Sequence, residues 1–156
     1  METKLTEKEH YKQTSNAEEK AMNWFADKKG IKYTNEPAQF SSYDGFLMSG
    51  NTNYIVEVKV RNKYSYEQIE SFGGSFLEFK KLNGILKEKN DKSLFEQIIY
   101  FNFYKEKLLL YSISSNPNDY EWELKWLRRD NFSDKYEWKF VTKLKKEAII
   151  EMYNYK

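Results

Sequence analysis

The chain has 156 residues, 40% hydrophobic and 18% aromatic, which is enough to bury a core and too apolar for a disordered chain despite 32% charge. A formal net charge of +2 leaves any affinity for nucleic acid to a local basic patch, and the absence of cysteine excludes disulfides and thiolate-bound zinc. The opening METKLTEKEHYKQ is charged and has no apolar h-region, and no later run is apolar for long enough to span a bilayer, so a cytoplasmic protein with no membrane association is expected. Length and even composition predict a single domain over residues 1–156, without repeats or linkers.

Residues 1–13 are polar and read as frayed or as an extension of a first helix. From Thr14 the pattern is helical: Ser15 or Asn16 suits an N-cap, Glu18 and Glu19 suit a first turn, and Ala17, Ala21, Trp24 and Phe25 form an apolar stripe that ends before Gly30. Ile31 to Thr34 reads as a short edge strand, and Pro37 separates it from a β-hairpin over Ser41–Arg61. The hairpin has strand-like residues from Phe40 to Met48 and turn residues from Ser49 to Asn53. In its second half Tyr54, Val56, Val58 and Val60 alternate with Ile55, Glu57, Lys59 and Arg61, which predicts a buried face and a charged face.

The loop length sets which residues meet. A two-residue turn at Gly50-Asn51 places Asp44 opposite Glu57, and a four-residue loop places it opposite Lys59. A three-residue loop would press Asp44 against the valines, where an unpaired carboxylate is costly to desolvate. Directly opposed residues have Cβ atoms roughly 5 Å apart, within reach of one shared divalent ion.

Beyond Arg61, the spacing of Tyr66, Ile69, Phe72, Phe76, Phe79 and Leu82 predicts a helix on the valine face, with Gly73-Gly74 either tolerated for close packing or marking a break. Residues 94–114 read as two strands with a turn near Lys105-Glu106, the first of them central. Asn116-Pro117-Asn118 marks a loop. Trp122, Leu124 and Trp126 alternate with Glu121, Glu123 and Lys125, Tyr136 to Val141 reads as a strand, and Lys143 to Met152 as a closing helix.

Glu57-Val58-Lys59 is a short pattern in a chain rich in both charges, and its plain reading is a solvated strand face with cross-strand ion pairs. What gives it meaning is its setting: an aspartate on the preceding strand in compatible register, a valine face behind it, and a helix on either side. In that order the residues resemble the PD-(D/E)xK nuclease superfamily, Asp44 matching the motif's aspartate and Glu57 and Lys59 its (D/E)xK, over about Thr14 to Tyr104. Tyr43 stands where the motif usually has proline. The resemblance implies an α/β, restriction-endonuclease-like αβββαβ core with a mixed sheet flanked by helices, to which C-terminal strands and a helix are added. It implies a Mg²⁺- or Mn²⁺-dependent nuclease acting on nucleic acid, DNA in the first instance, with homodimerisation open.

In that scheme Asp44, Glu57 and the Val58 carbonyl hold the ion, and Glu18 on the first helix matches an additional ligand that many members use. Lys59 positions the attacking water. Arg61 is read either as a phosphate clamp or as the partner of a nearby acid. Lys80, Lys81, Arg128-Arg129 and Lys143/Lys145/Lys146 are candidate phosphate contacts that surface placement would equally explain. Gln68 and Glu70 read as a solvated helix face, Trp122, Trp126 and Trp138 as packing residues rather than base-stacking ones, and His10 receives no role. The alternative function is a nuclease-like fold without turnover that binds nucleic acid or protein.

Overall fold

A computed structural model describes residues 7–35, 43–50, 52–91, 97–129 and 134–155. Helix α1 spans Glu7–Lys29 and is followed by strands β1 (Lys32–Asn35), β2 (Gly45–Ser49) and β3 (Thr52–Val60). Helix α2 (Tyr66–Ser71), strand β4 (Ser75–Glu78) and helix α3 (Phe79–Asp91) lead to β5 (Gln97–Phe103) and β6 (Lys107–Ile113). After a 3₁₀ turn at Pro117–Asp119 come β7 (Glu123–Arg128), β8 (Tyr136–Leu144) and β9 (Ile149–Asn154).

Six strands form one mixed sheet in the order β1-β2-β3-β5-β6-β9, in which only the β3–β5 pair is parallel. The segment joining those two strands carries α2, β4 and α3, as a parallel connection requires a crossover. A second, antiparallel sheet has the order β4-β8-β7. The α/β class, the mixed sheet, the edge position of β1 and the central position of β5 agree with expectation.

Both faces of β3 are buried, which is why its sequence alternates in chemistry but not in exposure. Val56 and Val58 pack with Ala21, Met22 and Phe25 of α1, while Ile55 belongs to a second cluster with Ile69, Leu77, Leu82, Ile98, Tyr100 and Leu109. The helix expected on the valine face therefore lies on the opposite one, and α1 takes its place. Nor is residues 66–82 one helix. Gly73 and Gly74 adopt φ of +92° and +112°, and a Cβ on Gly74 would stand 2.4 Å from the Leu144 carbonyl oxygen. The pair breaks the helix so that Ser75–Glu78 can pair with β8.

Two other expectations are corrected. No Gly or Pro interrupts residues 7–29, so α1 runs through Ser15 and Asn16, and neither is an N-cap; Glu18 and Glu19 sit mid-helix. The closing helix over 143–152 is replaced by the end of β8, a 3₁₀ turn and β9. Strand β9 pairs with β6, whose edge would otherwise leave its backbone groups unpaired, and the Tyr153 ring it carries meets Phe25 at 5.6 Å. The part of the hairpin at Phe40–Ser42, together with Pro37 and Asn51, lies outside the described residues.

Candidate metal centre at the β2–β3 split

Ser49 pairs with Thr52 and Gly45 with Val56, which is the register of the two-residue connection, and carried one step further it puts Asp44 opposite Glu57. The Asp44 N–H donates to the Val56 carbonyl at 2.8 Å. At this point the strands part. The next backbone donor, Val58 N–H, goes to the Asp44 side-chain Oδ2 at 2.7 Å instead of to a strand partner. Because a strand residue points its N–H and C=O to the same side, the Val58 carbonyl faces this edge too.

Gly45 keeps the split tight: a Cβ there would lie 2.3 Å from the Thr34 carbonyl oxygen and 2.8 Å from the Tyr33 hydroxyl. That hydroxyl donates to the Asp44 carbonyl at 3.2 Å, fixing the aspartate from behind. Nothing in the sequence pointed to Tyr33, because its reach depends on how β1 lies against β2.

Glu57 is 2% exposed, so its charge must be met inside the protein. Its Oε1 faces two cations, Lys81 Nζ at 3.2 Å and Lys59 Nζ at 4.0 Å. Its Oε2 is buried and accepts no hydrogen bond. Burial first, then the neighbouring Asp44 charge, push the Glu57 carboxyl up to about 8, against the pull of Lys81 and Lys59. Glu18 of α1 is raised as well, by burial and by Asp44, with Glu57 adding to the effect and Lys59 opposing it. Three acids from α1, the start of β2 and β3 thus crowd one another, while two lysines do not fully offset them.

The three acids feel one another's charge, but among the described residues no three carboxylate, imidazole or thiolate groups stand close enough to form a ready metal cage. The oxygen donors that fit a hard divalent ion are Asp44, Glu57 and the Val58 carbonyl, with Glu18 reaching in from the helix that covers the other face.

Lys59 remains reachable, its side chain 39% exposed. Burial alone would lower its pKa, yet the Glu57 charge outweighs this and holds it above the ordinary lysine value. Arg61 hydrogen-bonds to neutral groups rather than to the nearby acid expected of it. Its Nη1 donates to Asn102 Oδ1 at 2.6 Å and its Nη2 to the Tyr100 hydroxyl at 3.5 Å. Asn102 in turn accepts from Tyr104, whose hydroxyl lies 2.5 Å from Ser75 Oγ, so the guanidinium anchors a buried polar chain that ties β3 to β5 and β4.

Lys81, read from the sequence as a phosphate contact, is instead the nearest cation to Glu57, and Lys80 beside it is exposed. Only the placement of α3 over β3 brings Lys81 there, so no local signal could have identified it. Gln68 caps α2 and Glu70 accepts from the Tyr66 hydroxyl and pairs with Lys146, which leaves both outside the centre. Trp122 packs on Phe79, but Trp126 and Trp138 are 55% and 62% exposed. They stand beside each other on the outer face of the β7–β8 ribbon, contrary to their expected burial.

No protein-family model and no curated protein matches the chain. Among solved structures it is similar to Hjc, a Holliday junction resolvase from the archaeal hyperthermophile Archaeoglobus fulgidus, with a TM-score of 0.50 at 11% identity over 86% of this chain and 85% of that one. The order of helices and strands, the mixed sheet and this likeness together give the chain a restriction-endonuclease-like α/β fold.

Proposed function

We propose that this protein is a divalent-metal-dependent nuclease that hydrolyses phosphodiester bonds in DNA. The observation that carries the reading is the Glu57 carboxylate, with one oxygen held by lysines and the other buried without a donor next to Asp44. Such an oxygen is costly to leave unmet, and a hard cation satisfies it. Asp44, Glu57 and the Val58 carbonyl would hold Mg²⁺ or Mn²⁺, and Glu18 would complete the oxygen set. The ion would neutralise charge at the scissile phosphate and acidify a water.

The remaining work falls to the chain's own groups. Val58 N–H and Lys81 fix the two carboxylates, so their oxygens are aimed before substrate arrives. Lys59, held as a cation by Glu57 and open to solvent, orients the attacking water and steadies the charge that develops on the phosphate. Arg61 stiffens the end of β3 through Asn102 rather than contacting DNA. Lys80 is an exposed cation on α3 that could meet a backbone phosphate.

The likeness to a Holliday junction resolvase makes a four-way junction the first substrate to assay, beside linear duplex. Cleavage should require Mg²⁺ or Mn²⁺ and be abolished in Asp44→Ala, Glu57→Ala and Lys59→Ala. Full activity of Glu57→Ala overturns the reading. Salt-sensitive DNA binding with no cleavage under either ion would mark a nuclease-like binding module instead.

A further inference from the structure

Strands β7 and β8 form a ribbon whose two faces are chemically reversed. The inward face carries charge: Lys125 Nζ lies over the Phe76 ring at 5.1 Å, and Lys139 Nζ donates to Glu78 Oε1 at 2.7 Å. The outward face sets Leu124, Trp126 and Arg128 of β7 directly opposite Phe140, Trp138 and Tyr136 of β8, in that order. Its apolar side chains stand in water, from Tyr136 at 48% exposed to Trp138 at 62%. Trp126 meets Trp138 at 5.3 Å and lies nearly parallel to Tyr136, 6.3 Å and 19° away. Four half-exposed aromatic rings leave roughly 400 Å² in water, a patch large enough to mark a contact surface.

What covers the face follows from its charge. Among the described residues Arg128 is the one charged group on it, and Arg129 adjoins it, whereas the ribbon's Glu123 and Glu137 take the alternate positions. Two copies meeting face to face would lay each Arg128 either on its counterpart or on Leu124 and Phe140, and neither offers it an acid. A strand of unpaired bases brings flat rings and negative charge together. Outward residues also recur about every 7 Å along a strand, close to two steps of a nucleic-acid strand.

We propose that the outward face of the β7–β8 ribbon binds single-stranded DNA, bases stacking on Trp126, Trp138 and Tyr136 and phosphates meeting Arg128 and Arg129. This rests on the nuclease reading above for the choice of polymer, and it names an unpaired segment as part of the substrate. β4 ties the ribbon to the centre: Tyr100, the register partner of Glu57, donates its hydroxyl to the Phe76 carbonyl at 3.3 Å, and Glu78 leads into α3, which carries Lys81.

The test is the anisotropy of a dye-labelled oligothymidine titrated with the full chain in chelator, so that cleavage plays no part. An abasic strand of the same length controls for charge. The native chain should bind the oligothymidine at least tenfold more tightly than the abasic strand, a comparison that needs no variant. Trp138→Ala should lose roughly tenfold toward the oligothymidine and nothing toward the abasic strand, while Trp138→Phe, which keeps a ring, should retain most of the native affinity. Equal affinity of the native chain for both strands, or a Trp138→Ala isotherm identical to the native one, overturns the ribbon's role and leaves metal-dependent cleavage of duplex or junction untouched. A dimer in sedimentation that Trp138→Ala dissolves, with no preference between the strands, overturns it in favour of a second copy. Base preference that depends on Trp138, in a chain that cleaves nothing under Mg²⁺ or Mn²⁺, upholds the ribbon and removes the nuclease reading.

Discussion

Neutralising Glu57 should change how stability depends on pH, and the size of the effect follows from its surroundings. Its carboxyl titrates at about 8 in the folded chain against 4.5 when unperturbed, burial and Asp44 being the leading causes. The raised value means that the folded state holds the proton more tightly than the unfolded one. Stability is therefore greatest below the unfolded pKa and declines as pH rises from about 4.5 to about 8. At roughly 1.4 kcal/mol per pH unit the full swing is at most about 5 kcal/mol. Lys59 and Lys81 stay protonated throughout this window, both being raised above the ordinary lysine value, and add no slope. Urea unfolding at pH 5, 6, 7 and 8 in chelator measures it directly. The native protein should lose several kcal/mol across the series, and Glu57→Gln about half as much, because Glu18, pushed up to about 9 chiefly by burial and Asp44, keeps its own slope. Saturating Mg²⁺ should flatten the native profile, since the bound ion replaces the proton. Parallel profiles for the native chain and Glu57→Gln would refute the account of a carboxylate buried without a sufficient partner.

Asp44→Asn keeps an acceptor for Val58 N–H but removes the charge that raises Glu18 and Glu57, so it should increase the melting temperature at pH 8 while abolishing cleavage. Gly45→Ala drives a Cβ to within 2.3 Å of the Thr34 carbonyl, and we expect a loss of about 2 kcal/mol or more in chemical denaturation together with weaker Mn²⁺ binding. Arg61→Met leaves the buried Asn102 oxygen only its longer contact from Tyr104 and should cost roughly 2 kcal/mol, yet leave the salt dependence of DNA binding unchanged; a shallower salt slope would mean that Arg61 does touch phosphate.

The proximity of Asp44, Glu57 and Lys59 was legible because they lie close in sequence. Asp44, Glu57 and Lys59 are joined by one hairpin, and a two-residue turn settles their register with no information from the rest of the fold. Glu18 required a resemblance, since nothing local says which face of a long helix meets a sheet edge. Residues that arrive across the crossover, Lys81 above all, were beyond reach of pattern: their role is set by where α3 settles after β4 has paired with β8.

Period-two alternation in β3 misled about exposure, because a polar residue on a covered face looks the same in sequence as one on a solvated face. Residues 143–152 misled in another way. Their apolar spacing suits a helix, but the open edge of β6 claims Ile149–Asn154 as a strand, and competition of that kind is decided outside the segment itself. Trp126 and Trp138 read as packing residues because large aromatics usually are; the ribbon that carries them has no covering layer on that side among the described residues.

The single parallel pairing in the main sheet bears on how the protein comes to be active. β2 and β3 can zip together as a local hairpin early, but β3 gains its β5 neighbour only after the chain has travelled through α2, β4 and α3. Closing so long a loop is slow relative to hairpin formation. Asp44 and Glu57 should thus be paired in register well before Lys81 reaches Glu57, leaving a folding chain with its acids assembled and their counter-cation still absent. Burial of the α3 residues Leu82 and Ile85 during refolding would then lag behind recovery of strand signal, and the delay would time the arrival of α3.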